Sequence, residues 1–144
     1  MTLACKYRNY FFNFFHYIIF VLFMYAAFSK TLKFDVFVNN LGKSPFFENI
    51  NISLIAIIVI ALEYSVPFLL FFEKTAKFGY LTSFVLFLLF SGYIVMLLQI
   101  SPYLPCSCGG FTEVLSWTQH IYFNIFFLVV SVLLFLFSDN IPLR

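Results

Sequence analysis

The sequence predicts an all-α membrane protein: a four-transmembrane-helix bundle with a short outer interfacial helix between spans one and two. Two observations carry this. Hydrophobic residues make up 63% of the 144 positions and charged residues 10%, against roughly a quarter charged in a soluble domain, so the chain has too few charges to cover a water-exposed surface. Four apolar windows, Tyr10–Phe28, Ile50–Phe72, Phe78–Ile100 and Ile121–Phe137, are each near the length of about 20 residues that a helix needs to cross a bilayer. Helix is the only choice for such segments, because a lone strand leaves its backbone unsatisfied in lipid.

Taken in order, the first window follows Lys6 and Arg8 and ends at Ala26-Ala27-Phe28-Ser29. It is long for the core of a signal peptide, and Phe28 fits poorly at a cleavage site, so it is expected to stay as span one. Leu3-Ala4-Cys5 has the look of a lipidation motif but lacks a hydrophobic stretch before it. Between spans one and two, Phe34, Phe37, Val38 and Leu41 recur at helical spacing, with Lys33, Asp35 and Asn39 elsewhere. That pattern predicts a short helix lying at the interface, ended by Gly42 and followed by a turn at Ser44-Pro45. Its role is a cap over the bundle or a partner-docking surface. Gly79, Ser83 and Gly92 on span three are small enough to allow close helix packing.

Glu63 is the one acidic residue deep inside a span. A carboxyl at that depth costs about 2.5–3.5 kcal/mol on insertion scales, so it is expected to face the bundle and find a partner. The candidates are a hydrogen bond to Tyr25, Tyr64 or Tyr93, or proton handling beside a quinone. Pro67, four residues on, cannot hydrogen-bond the Glu63 carbonyl and is expected to kink span two. His16 reads as an interface or interhelical residue.

The loop after span three holds the most unusual chemistry. Pro102 and Pro105 end the helix, and Cys106-Ser107-Cys108 follows, with Gly109 and Gly110 behind. A bridge between residues two apart requires a bent backbone and closes almost no loop, so it offers little as a staple. Strained, exposed disulfides are the labile or catalytic ones. Cys106 and Cys108 are therefore the candidate catalytic pair for thiol–disulfide exchange. An inert pair, or a Cu(I) or Zn site completed by His120, are the competing readings, and no fourth ligand is evident. Glu113, Trp117 and His120 share one face at helical spacing. His120 either tunes a thiol or caps span four, Trp117 either joins that face or anchors the interface, and Asn124 is expected to make an interhelical hydrogen bond.

Positive charge is retained on the cytoplasmic side. Lys6, Arg8, Lys74, Lys77 and Arg144 fall on one side; Lys30, Lys33 and Lys43 fall on the other. The balance predicts both termini inside a bacterial cytoplasmic membrane, with the cysteine loop facing the oxidising periplasm. The net charge of +2 gives no ground for nucleic-acid binding. The other thiol, Cys5, falls on the far side. A thiol relay across the membrane needs cysteines reachable from both faces, so electrons must pass to or from a bound quinone or a partner. The partners expected are a thioredoxin-like periplasmic protein, an exported client, or the subunits of a membrane complex in which the chain is a non-catalytic member.

These residues resemble the MauE/DoxX family of redox-associated membrane proteins. The likeness lies in four spans, in Tyr25-Ala26-Ala27-Phe28-Ser29-Lys30 with its Lys after span one, in Leu62-Glu63, and in a Cys-x-Cys loop after span three. Pro105-Cys106-Ser107-Cys108-Gly109-Gly110, Ser116-Trp117-Thr118-Gln119-His120 and Phe123-Asn124 are similar to the form of Bacteroidota members. Many members carry Cys-Gly-Cys-Phe-Gly, where this chain has Ser107 and lacks the Phe. The resemblance implies a role in maturing disulfide-containing periplasmic proteins.

Overall fold

A computed structural model describes residues 3–43, 51–100 and 117–138. The described chain is helical: α1 Leu3–Leu32, α2 Phe34–Gly42, α3 Ile52–Phe71, α4 Ala76–Ile100 and α5 Trp117–Phe137. Four of these, all but α2, are long and apolar enough to cross a membrane. The chain is thus a multi-pass membrane protein. Its spans match the windows read from hydropathy, with α1 and α5 extending several residues beyond them. Polar residues at the ends of those windows stay helical because their side chains turn into the bundle, as Lys30 and His120 do.

Helix α2 sits where the interfacial pattern predicts it. Phe37 is its buried residue, Phe34, Val38 and Leu41 are half-buried, and Asp35 and Asn39 face outward. Asn51 then caps α3, its side chain accepting from the backbone N–H of Leu54 at 3.3 Å. Between α3 and α4 the turn is short. The Thr75 hydroxyl donates to the carbonyls of Leu69 (2.7 Å) and Phe72 (3.2 Å), tying down C-terminal carbonyls that would otherwise be orphaned. So short a connection forces α3 and α4 to run antiparallel side by side. Pro67 is buried inside α3, which runs unbroken from Ile52 to Phe71.

Each spanning helix turns one stripe inward: Phe12, Ile19, Phe23, Ala27 and Lys30 on α1; Ala56, Glu63, Val66 and Leu70 on α3; Tyr80, Ser83, Phe87 and Ile94 on α4; His120, Asn124, Phe127, Ser131 and Leu134 on α5. The large residues left outside, such as Phe14, Phe68, Phe78 and Tyr122, suit a lipid surround. Between α4 and α5 the Ser83 hydroxyl donates to that of Ser131 at 3.0 Å, and the rings of Phe87 and Phe127 stack at 5.8 Å. Ser131→Ala is expected to cost about 0.6 kcal/mol, the average for an interhelical hydrogen bond in a membrane bundle, measurable as a small shift in detergent unfolding. Of the small residues on span three, Gly79 and Ser83 lie at helix contacts. Gly92 does not: a side chain there would meet open space.

Candidate functional site

A buried ion pair lies in the half of the bundle that carries α2. The Lys30 ammonium donates to Glu63 Oε1 at 2.6 Å, with Lys30 7% and Glu63 1% exposed. Lys30 reaches this position because α1 continues past Phe28, and because Phe23, Ala27 and Lys30 follow one another on the inward stripe. Two aromatic faces complete its surroundings: Phe37 of α2 at 5.7 Å and Phe90 of α4 at 5.9 Å from the ammonium nitrogen. Such contacts strengthen when water is excluded. One lysine thereby ties together α1, α2, α3 and α4. Beside it, the hydroxyls of Thr31 and Tyr64 lie 3.4 Å apart.

This corrects one expectation: Glu63 bonds to Lys30, where Tyr25, Tyr64 and Tyr93 were the candidate hydrogen-bond partners. Hydropathy misses the pair because it reads Lys30 as the start of a loop, when the residue is in fact the last inward position of α1. The signal in the sequence was the spacing of Lys30 from Phe23 and Ala27.

Two further site residues are buried in the first turns of α5. His120 is 7% exposed and Asn124 3%. His120 Nδ1, Asn124 Nδ2 and Glu63 Oε2 have no hydrogen-bond partner among the described residues. His120 is therefore buried in the first turn of α5, and the interhelical bond expected of Asn124 is not made by its amide nitrogen among the described residues. The α4–α5 register fixes the depth of both. Ser83 meets Ser131 and Phe87 meets Phe127; continuing along the antiparallel pair sets Phe90 opposite Asn124 and Ile94 opposite His120. Since Phe90 flanks Lys30, Asn124 lies at the depth of the ion pair and His120 one turn nearer the α2 end.

The opposite half holds a different set. His16 Nδ1 and the Tyr80 hydroxyl lie 2.8 Å apart, so that of the two readings, interface or interhelical, His16 takes the interhelical one. Between the two polar sets stand Phe23, Phe87 and Phe127, with ring centroids 5.1 Å (Phe23–Phe87) and 5.8 Å (Phe87–Phe127) apart.

Cys106, Cys108 and Glu113 lie outside the described residues, and Trp117 is the first residue of α5. Helices α1 and α4 run parallel, since His16 meets Tyr80 and Phe23 meets Phe87. The chain from Ile100 to Trp117 therefore joins two helix ends on the same side of the bundle as α2.

No curated protein and no solved structure matches this sequence. The family model of the methylamine utilisation protein MauE matches residues 8–137, a range that takes in all four spanning segments, Lys30, Glu63 and the Cys-x-Cys segment. The chain is a membrane protein of the MauE family.

Proposed function

We propose that this MauE-family protein performs thiol–disulfide exchange through Cys106 and Cys108 at the periplasmic face of the bacterial cytoplasmic membrane, in support of exported proteins that carry disulfides. One observation carries the reading: the buried Lys30–Glu63 ion pair lies in the half of the bundle to which the connection between α4 and α5 belongs. Lys30, Glu63, His120 and Asn124 all lie there, while the far half holds the neutral His16–Tyr80 and Ser83–Ser131 contacts among Phe12, Ile19 and Leu134. Exchange needs a thiolate to attack and a second thiol to resolve the mixed disulfide. Two cysteines separated by one residue supply both. Buried polar side chains in the same half of the bundle, His120 among them, supply groups suited to proton handling. The partner is a thioredoxin-like periplasmic protein or an exported client.

Charge supports the orientation. With Lys30 buried in α1, the α2 end keeps Lys33 and Lys43, against Lys6, Arg8, Lys74, Lys77 and Arg144 on the other side. The termini are then cytoplasmic.

Trapping tests the reading. Of Cys106→Ser and Cys108→Ser, the variant that keeps the attacking thiol is expected to accumulate a reductant-sensitive adduct with a partner, and the other to accumulate none. Both should lose function in a deletion strain. If neither captures a partner and both complement, the cysteines are dispensable. In that event a stoichiometric partner retained in mild detergent would assign the chain to the accessory subunits of a membrane complex. An impermeant thiol reagent applied to intact spheroplasts should label Cys106 and Cys108 after reduction and leave Cys5 untouched.

A further inference from the structure

We infer that the groove between α1 and α3, in the half of the bundle away from α2, holds an acyl chain of an anionic phospholipid whose head group lies against Lys74. The inference goes beyond the thiol-exchange reading and does not rest on it.

The groove has a volume of about 510 Å³ and is lined by Phe20 and Met24 of α1 and by Tyr64, Pro67, Phe68 and Phe71 of α3, with Ser65 between them. Pro67 is buried at its base, while Met24, Phe68 and Phe71 stand exposed along its rims. Only apolar surface faces the groove, although a serine and a tyrosine line it, because both hydroxyls are engaged elsewhere. Ser65 donates to the Leu62 carbonyl of its own helix at 2.6 Å. The Thr31 hydroxyl donates to the Ala27 carbonyl at 2.8 Å, which leaves it to accept from Tyr64 at 3.4 Å. An occupant of the groove therefore needs no polar atom.

Depth selects a lipid chain over a helix. From Tyr64 to Phe71 α3 rises about 10 Å, within the ~15 Å of hydrocarbon that one leaflet supplies. Among the described residues, none nearer the α2 end than Met24 or Tyr64 lines the groove. There the Lys30–Glu63 and Thr31–Tyr64 contacts hold α1 and α3 together. A transmembrane helix of a second copy would cross both leaflets and is about 10 Å wide, whereas an acyl chain enters from one face and ends near the midplane.

Charge selects the head group. Helix α3 ends at Phe71, and the backbone N–H of Thr75 donates to the Phe72 carbonyl at 3.0 Å. That turn sets the exposed Lys74 just past the open end of the groove. On α1, the exposed Tyr17 shares a face with Phe20 and Met24 and stands at the same end, where tyrosine hydroxyls meet lipid head groups. Among the described residues this end of the bundle carries Lys6, Arg8, Lys74 and Lys77 against Glu73, an excess that attracts anionic lipid. The Lys77 ammonium lies 5.4 Å from the centre of the Phe135 ring on α5, so Lys74 is the lysine beside the groove.

Native mass spectrometry of the full-length protein in detergent, titrated with dioleoyl phosphatidylglycerol or dioleoyl phosphatidylethanolamine, tests this. One phosphatidylglycerol is expected to bind ahead of any other lipid, about fivefold more tightly than phosphatidylethanolamine. Lys74→Gln should bring the two lipids level. Ser65→Phe fills the groove and should weaken both by about tenfold, whereas Ser65→Ala keeps it open and should bind as the unmodified protein does. Should Ser65→Phe fail to fold, Phe68→Ala is read in its place. Phe68 is exposed, so its truncation removes a rim without touching the core, and weaker binding of both lipids is expected. Equal affinity for the two lipids in the unmodified protein would overturn the proposal. So would a ladder of bound lipids that neither Lys74→Gln nor the groove variant changes, which would mean annular lipid only. A mass of two chains that disappears in Ser65→Phe would give the groove to a second copy and overturn it as well.

Discussion

Lys30→Met is expected to destabilise the bundle by about 3–5 kcal/mol, the cost of leaving one member of a buried ion pair without the other. Glu63 is 1% exposed and Lys30 7%, so neither water nor lipid headgroups reach the carboxylate once the ammonium is gone. The substitution also removes the cation from the faces of Phe37 and Phe90, loosening α2 and α4 as well as α3. The double variant Lys30→Met/Glu63→Leu should recover most of the loss, because apolar side chains of similar volume replace a buried pair at little or no net cost. Unfolding in mixed micelles, followed by loss of helical signal, measures both. A double variant as unstable as the single one would show that the two charges act separately.

Gly79→Leu is expected to separate α3 from α4 and to cost more than the ~1–3 kcal/mol usual for overpacking a core. A β-carbon at Gly79 would lie 2.8 Å from Leu70 Cδ2, 2.9 Å from its Cγ and 3.2 Å from its backbone nitrogen. Leu70 is itself buried, at 2% exposed, so its side chain has little room to retreat, and its backbone nitrogen belongs to α3. Gly79→Ala should fall within the ordinary overpacking range, with partial rescue by Leu70→Ala, which removes the side-chain contact but leaves the backbone one. Gly92→Ala is the control. It meets nothing within 4 Å and gains helix propensity of up to about 1 kcal/mol, so it should be neutral or stabilising. Equal losses at Gly79 and Gly92 would mean that close approach of α3 and α4 is not what Gly79 provides.

Much of this architecture is legible in the sequence because the bilayer permits few alternatives. Runs such as Ile52–Phe71 can only be helices in lipid, and the Phe34, Phe37, Val38, Leu41 spacing fixes both the helix α2 and its buried face. Glu63 was visible as a residue needing a partner, but its partner was not. Hydropathy averages over a window and assigns a terminal lysine to water, whereas helical side chains tilt toward the helix N-terminus, so a long one on the last inward position of α1 leans back into the bundle. Gly79 and Gly92 illustrate the same limit. Both are small residues on one span, and only packing against Leu70 tells them apart. The depth of Asn124 and His120 likewise depends on the α4–α5 register, which the Ser83–Ser131 and Phe87–Phe127 contacts set and no local pattern announces.

The layer of Phe23, Phe87 and Phe127 has an electrical consequence. Its rings separate His16 and Tyr80 from Lys30 and Glu63, and a phenyl ring has no group that takes up or releases a proton. Moving one elementary charge across a membrane at 100 mV takes about 2.3 kcal/mol, but a proton that enters and leaves on the α2 side crosses none of that field. The proposed exchange, if it takes up and releases its protons on the α2 side, would be electroneutral, and its rate should not change when an ionophore collapses the membrane potential.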